Sequence, residues 1–171
     1  MAQVGVFTGA ALAAPDDKGR IALPAALRNA LPTDGKSRPM FITTHEAAPC
    51  LVGSGADRLE TITARIDRAE DLAAQRGDAF DRFALERRLF GPGETIPVDG
   101  SGRFILPDLL AELIGFAGEL FFYGAGRYFE VWDLAQLLAS QDPAVAAARA
   151  AAAAALRVRE KKQAGKAEGG E

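Results

Sequence analysis

The alternation of apolar and polar positions is written twice along this chain. Residues 16–24 read Asp-Asp-Lys-Gly-Arg-Ile-Ala-Leu-Pro, and residues 99–107 read Asp-Gly-Ser-Gly-Arg-Phe-Ile-Leu-Pro. An offset of 83 superposes Asp16 on Asp99, Gly19 on Gly102, Arg20 on Arg103, Leu23 on Leu106 and Pro24 on Pro107. In each copy a polar turn leads into a short apolar strand that ends at the proline. Pro24 and Pro107 are predicted in the first turn of a helix, where a missing N–H costs nothing. Helical spacing follows, Leu27 and Leu31 falling on Leu110 and Ile114, with Pro32 or Gly115 as the stop. Two strands complete each copy: 40–44 with 49–53, and 119–123 with 128–133. Gly124-Ala125-Gly126-Arg127 suits a hairpin that needs positive φ. Each copy spans about 45 residues, too few to bury a stable core alone. Two copies must therefore pack together, from one chain or from two.

Between the copies the period changes to that of helices. Leu59, Ile62, Ile66 and Ala69 form an amphipathic stripe that Gly77 interrupts. Asp78 is predicted to cap a second helix through Phe90, with Phe80, Phe83, Leu85 and Leu89 as its apolar positions. Gly91-Pro92-Gly93 returns the chain to β structure. After the second copy, Leu134, Leu137 and Leu138 make a short apolar face. Asp142-Pro143 then opens an alanine-rich helix running to about Lys162. That helix is expected to bury little, and residues 157–171, five of them basic, read as a frayed or disordered tail.

Composition narrows the classes. The 171 residues are 49% hydrophobic, enough for a core, so wholesale disorder is excluded. The longest unbroken apolar run, Ala150 to Leu156, falls far short of the ~18 residues of a membrane span. The N-terminal residues lack the basic start and long apolar stretch of an export signal, so the cytoplasm is the expected compartment. One cysteine rules out an intramolecular disulfide framework and a Cys-rich metal site. Twenty Lys+Arg against 23 Asp+Glu give a net charge of −3. That argues against a uniformly basic coat for nucleic acid but not against a local basic face. The insert holds seven arginines and eight acids, read as solvated helices with their own ion pairs.

Catalytic constellations are sparse, and no enzyme activity, metal or cofactor is expected. His45 has Glu46 beside it but no partner for a metal set. Cys50 precedes an apolar strand, as a buried structural thiol does. Ser101 lies in Gly100-Ser101-Gly102, which does not satisfy Gly-x-Ser-x-Gly. Gly124-x-Gly126 lacks the third glycine of a dinucleotide loop. Asp16-Asp17 sits in a turn, where Asp commonly bonds its own backbone. What remains is Asp-x-x-Gly-Arg. In one copy it reads as Asp starting a turn, Gly permitting it and Arg pairing with the Asp. Two copies in register make it a building block used twice, without saying what Arg20 and Arg103 do.

Phe7-x-Gly9, Asp17-Lys18-Gly19-Arg20-x-x-Leu23-Pro24, Asp99-x-x-Gly102-Arg103-x-x-Leu106-Pro107 and Phe129-Glu130-Val131-Trp132 together resemble the MraZ family, a two-repeat member of the AbrB/SpoVT-like DNA-binding group. The resemblance covers residues 7 to about 138. It implies an α+β fold: a small β-barrel of swapped-hairpin type built from two β-α-β-β repeats, with a helical insert and a C-terminal helix. Its divisions would be 7–54, 55–91, 94–137 and 140–171. It further implies ring-shaped homo-oligomers in the cytoplasm, associated with the nucleoid. These would bind double-stranded DNA at promoter direct repeats of the cell-division and cell-wall gene cluster, as a repressor. Carried over residue by residue, the DNA-binding candidates are Lys18, Gly19, Arg20, Gly102 and Arg103. Arginine brings a planar fork to phosphate or guanine, lysine a point charge, and glycine a close backbone approach. Arg38 and Arg127, near hairpin loops, are weaker candidates.

The family commonly has a basic residue where this chain has Thr8, and Ser101 stands where the first copy has Lys18. The first turn is therefore expected to dominate affinity. A ring engaging several repeats gains roughly 10²–10⁴ in avidity, and repression would follow from covering the promoter. The rival expectation is an oligomeric interaction module without specific DNA binding, which grips a partner with its C-terminal tail; removal of residues 140–171 separates the two.

Overall fold

The computed structural model describes residues 5–168. The outermost residues of the N-terminal reading, 1–4, and of the tail reading, 169–171, lie outside them. In chain order the first repeat gives β1 (Ala10–Ala13), β2 (Arg20–Ala22), α1 (Ala25–Ala30), β3 (Arg38–Thr44) and β4 (Leu51–Gly55). The insert gives α2 (Arg58–Arg76) and α3 (Arg82–Phe90). The second repeat gives β5 (Glu94–Val98), β6 (Arg103–Ile105), α4 (Asp108–Leu113), β7 (Leu120–Gly124) and β8 (Phe129–Asp133). The chain continues through α5 (Leu134–Ala139), a 3₁₀ turn (Pro143–Val145) and α6 (Ala146–Glu168).

The architecture is mixed α+β, with all strand pairing antiparallel. Six strands form one sheet in the order β1-β7-β8-β4-β3-β5, and β2 and β6 form a separate ribbon. The expected hairpins are present, but the leading strand of each repeat pairs with the other repeat's hairpin. Ala10 lies opposite Tyr123 in the β1–β7 ladder, and Arg38 opposite Val98 in the β3–β5 ladder. This exchange answers the size problem: neither repeat completes its sheet from its own strands. The expected closed barrel is not shown by these pairings, which give one six-stranded sheet and a separate ribbon. Among the described residues the six-strand ladder ends at β1 and β5.

The ribbon supplies a lid to the core. Ile21 and Phe104, paired in register, are buried with Leu27, Met40, Leu110, Phe122, Phe129 and Val131. Burying each such side chain contributes roughly 1.5–3 kcal/mol. Leu27 and Leu110 are the buried positions of α1 and α4, as their spacing predicts. Pro24 and Pro107 sit one residue earlier than predicted, as N-caps with extended ψ near 137°.

Three expectations about the helices change. α3 is capped by Asp81, whose side chain accepts from Ala84 N, and not by Asp78. α3 packs through Leu89, while Phe83 is exposed. Thr43 Oγ1 donates to Leu89 O at 2.6 Å and ties α3 to β3. Arg82 closes the insert on itself, with nitrogens 2.7 Å from Asp67, 2.8 Å from Glu70 and 2.8 Å from Glu86. Finally, α6 is continuous to Glu168 where a frayed tail was expected. Its start is held by a second core of Cys50, Phe121, Trp132, Leu137, Ala148 and Ala152. An Arg159–Glu119 ion pair ties its later turns down. Alanine permits that close approach to the sheet. Removing residues from 140 onward would therefore uncover Phe121 and Trp132. No described helix is long and apolar enough to cross a membrane.

Candidate nucleic-acid interface

The two Asp-x-x-Gly-Arg segments fold into the same turn. Asp16 Oδ1 accepts from the backbone N–H of Lys18 and of Arg20, both at 2.9 Å. Asp99 Oδ1 accepts from Ser101 N–H at 2.8 Å and Arg103 N–H at 2.9 Å. Asp16 N–H donates to Arg20 O, and Asp99 N–H to Arg103 O. Gly19 and Gly102 take φ of +74° and +79°, the left-handed conformation that disfavours other residues. Asp and Gly are thus required by the turn itself, and Arg leaves it as the first residue of a strand.

The ribbon then sets the two turns side by side. Arg20 faces Ile105 and Arg103 faces Ala22 across the β2–β6 ladder. Because Ile21 and Phe104 point into the core, strand alternation sends both arginines to the outer face. They lie on its diagonal, close enough that Arg103 Nη1 is 3.8 Å from Asp16. The predicted pair Arg20 and Arg103 is therefore brought together, with Gly19 and the exposed Lys18 beside it.

Their surroundings differ. Arg20 donates from Nε to Asp16 Oδ2 at 2.8 Å, and its Nη2 lies 2.8 Å from the same oxygen. The Arg20 guanidinium and backbone N–H hold the Asp16 carboxyl down to about 2. Arg103 Nε is 3.7 Å from Asp99, beyond hydrogen-bonding range. That buried N–H has no acceptor. Asp99 is also lowered, chiefly by the Arg103 backbone N–H.

One neighbour was not visible in the motif. Arg28, on α1, reaches Ser101 O with Nη1 at 3.4 Å and lies over Gly102, where a Cβ would meet its Nη1 at 2.5 Å. Only the ribbon pairing brings it there, 73 residues from its partner in sequence. Arg38 donates to Leu31 O at 2.6 Å. It lines a shallow cavity of about 300 Å³ with Arg28, Lys36 and Asp99, so it flanks the second turn. Arg127 is at the opposite end of β1, where Gly126 bridges Phe7, and its carbonyl accepts from Arg58. Burial pushes the Arg58 guanidinium down, and it lies 5.2 Å from the Tyr128 ring.

The remaining chemical candidates are occupied structurally. His45 Nδ1 accepts from Ala47 N–H, leaving the proton on Nε2, 3.9 Å from Glu130. Cys50 is buried, which pushes its thiol up and away from the reactive thiolate. Ser101 serves the second turn through its backbone. Among the described residues no three His, Cys, Asp or Glu side chains group as a metal set.

The fold and site define a two-repeat α+β protein with paired Asp–Gly–Arg turns on one ribbon face. A family model described as "MraZ protein, putative antitoxin-like" matches residues 6–83. The chain is 32% identical over 131 residues to a protein of Methylobacillus flagellatus named transcriptional regulator MraZ, covering 75% of this chain and 82% of that one. It is 31% identical over 121 residues to the protein of that name from Treponema denticola, covering 71% and 77%. The Pseudomonas savastanoi pv. phaseolicola protein of that name is 33% identical over 129 residues, covering 75% and 80%. The chain belongs to the MraZ family.

Proposed function

We propose that this chain is a DNA-binding transcriptional regulator whose contact surface is the outer face of the β2–β6 ribbon. The observation that carries this reading is the convergence of Arg20 and Arg103 on that face, each fixed at a glycine turn. The naming of the relatives as transcriptional regulators supports it. The divisions of the chain follow: repeats at 7–54 and 94–137 carry the turns, 55–91 is a helical insert, and the division at 140–171 supports the sheet through its described residues, which end at Glu168.

The chemistry is short-range. Lys18, Arg20 and Arg103 are opposed on the same surface by Asp16, Asp17 and Asp99, so the turns are formally neutral. Long-range steering is weak, and affinity comes from fork geometry and from the number of turns engaged. One of the five Arg20 N–H groups, on Nε, is spent on Asp16, and Nη2 pairs with the same oxygen at 2.8 Å, which fixes the guanidinium. Arg103 has an unsatisfied Nε–H that is buried, and the exposed remainder of its guanidinium is the part open to an incoming acceptor.

In the fuller form of this proposal, copies assemble into a ring in the cytoplasm, associated with the nucleoid. The ring represses the promoter of the cell-division and cell-wall gene cluster by covering short direct repeats. The test is a gel shift at fixed salt with the chain's own upstream region, its direct repeats intact or scrambled. Intact repeats are expected to bind the parent protein, and Arg20→Ala and Arg103→Ala to lose that binding. Equal binding to intact and scrambled repeats refutes specificity, and parent-like binding by both variants refutes the ribbon face.

A further inference from the structure

The two Asp–Gly–Arg turns differ in what stands beside them. The first carries a second cation of its own, Lys18, where the second has Ser101. A Cβ on Gly19 would meet nothing within 4 Å, whereas one on Gly102 would strike Arg28. Arg28 comes from α1, in the other repeat, and its counterpart on α4 at the offset of 83 is Ala111. The second turn thus borrows from the first repeat a cation that its own segment lacks.

Arg28 has company there. With Lys36 and Arg38 it lines the cavity of about 300 Å³ that Asp99 and Gly100 of the second turn also line. At the offset of 80, which superposes Phe41-Ile42 on Phe121-Phe122, the counterparts of Lys36 and Arg38 are Phe116 and Gly118. The second repeat therefore has no equivalent cluster to place beside the first turn. None of the three cations forms an ion pair among the described residues. Arg38 spends Nη1 on Leu31 O. Arg28 spends Nη1 on the 3.4 Å contact to Ser101 O, which leaves most of its five N–H groups uncommitted. Lys36 is exposed. The nearby carboxylates are engaged by the backbone: Asp34 accepts from the N–H groups of Lys36 and Ser37, and Asp99 from those of Ser101 and Arg103. The charges of the turns cancel, but three cations against one lining carboxylate leave this cavity positive.

We infer that the cavity takes a backbone phosphate of the DNA, gripped by Arg28 and Lys36, while the ribbon face meets the bases. This rests on the DNA-binding reading above and divides its labour. A fork and a point charge in a polar recess suit a phosphate. Such contacts fix the register of a protein on the duplex without reading sequence. The phosphate is one of the DNA because Asp99 and Gly100 belong to the turn that presents Arg103. Each turn then works with two cations, Lys18 with Arg20 in the first and Arg28 with Arg103 in the second.

The test titrates DNA with full-length Arg28→Gln and Lys36→Gln across a series of salt concentrations, with the direct repeats intact or scrambled. Glutamine keeps an N–H for Ser101 O and removes the charge, and Lys36 is exposed, so the second variant carries the test even if the first unfolds. Each variant is expected to weaken binding to intact and scrambled repeats by the same factor. Each should also flatten the log–log salt dependence by about 0.9 for each copy on the DNA. Arg28→Lys is expected to restore the parent slope. A parent that binds neither DNA overturns the DNA-binding reading and this assignment with it. A binding parent whose slope both glutamine variants keep overturns the cavity while the DNA-binding reading stands. A loss confined to the intact repeats, at unchanged slope, overturns the phosphate role and leaves Arg28 a support of the turn.

Discussion

The first and second turns share a backbone and part company at the guanidinium. In the first, Arg20 is clamped by Asp16 through two 2.8 Å contacts. In the second, Arg103 stands 3.7 Å from Asp99 with a buried Nε–H unmet, and Arg28 braces the turn from outside. The difference separates two ways of presenting an arginine: one clamped by its own carboxylate, the other held more loosely by it. The sequence favours the first turn as the stronger contact, because Lys18 has only Ser101 as its counterpart. The geometry argues for Arg103, which gives up less on meeting a phosphate or a guanine.

The sharpest way to break this comparison is the pair of truncations. Arg103→Ala is expected to weaken binding to the intact repeats more than Arg20→Ala, with each loss in the range of about 10- to 100-fold for one bidentate contact. Titrations at one salt concentration decide the order, and the reverse order would restore the first turn to dominance. Next in size are the glycines. Gly19→Ala meets nothing within 4 Å and suffers only from its φ of +74°, at about 1–2 kcal/mol. Gly102→Ala adds a clash with Arg28 and should lower the unfolding temperature further; equal shifts would mean that Arg28 does not brace the turn.

Smaller still is the lysine asymmetry. Ser101→Lys should steepen the log–log salt dependence of DNA binding by about 0.9 per added phosphate contact, and Lys18→Ala should flatten it by the same amount. The smallest effect is on acid stability. A carboxylate lowered on folding stabilises the protein above its unfolded pKa of about 3.9, and that contribution is lost as pH falls through the folded value. For Asp16 the folded value is about 2, so its share disappears between about pH 4 and 2. Asp16→Asn should flatten the unfolding temperature across that window.

Much of this was legible in local chemistry. Gly19 and Gly102 marked turns, Gly77 ended α2 with φ of +73°, and the strand pairs of each repeat matched their hairpins within two residues. What escaped was non-local. No periodicity says that β1 joins β7 in place of its own hairpin. Arg28 could not be placed at the second turn without the β2–β6 register. The sequence pattern places the cap of α3 at Asp78, and only the course of the chain into α3 shows that Asp81 takes it. The alanines of α6 read as propensity without burial; Ala148 and Ala152 instead fit where a larger side chain would not, against Trp132 and Phe121.

The strand exchange also has a consequence in time. β1 emerges from the ribosome about 110 residues before β7, the strand that completes it. At 5–20 residues per second, Ala10–Ala13 wait on the order of ten seconds for a partner. The chain therefore finishes its first half without being able to finish its first sheet, and its order of synthesis and order of assembly run against each other.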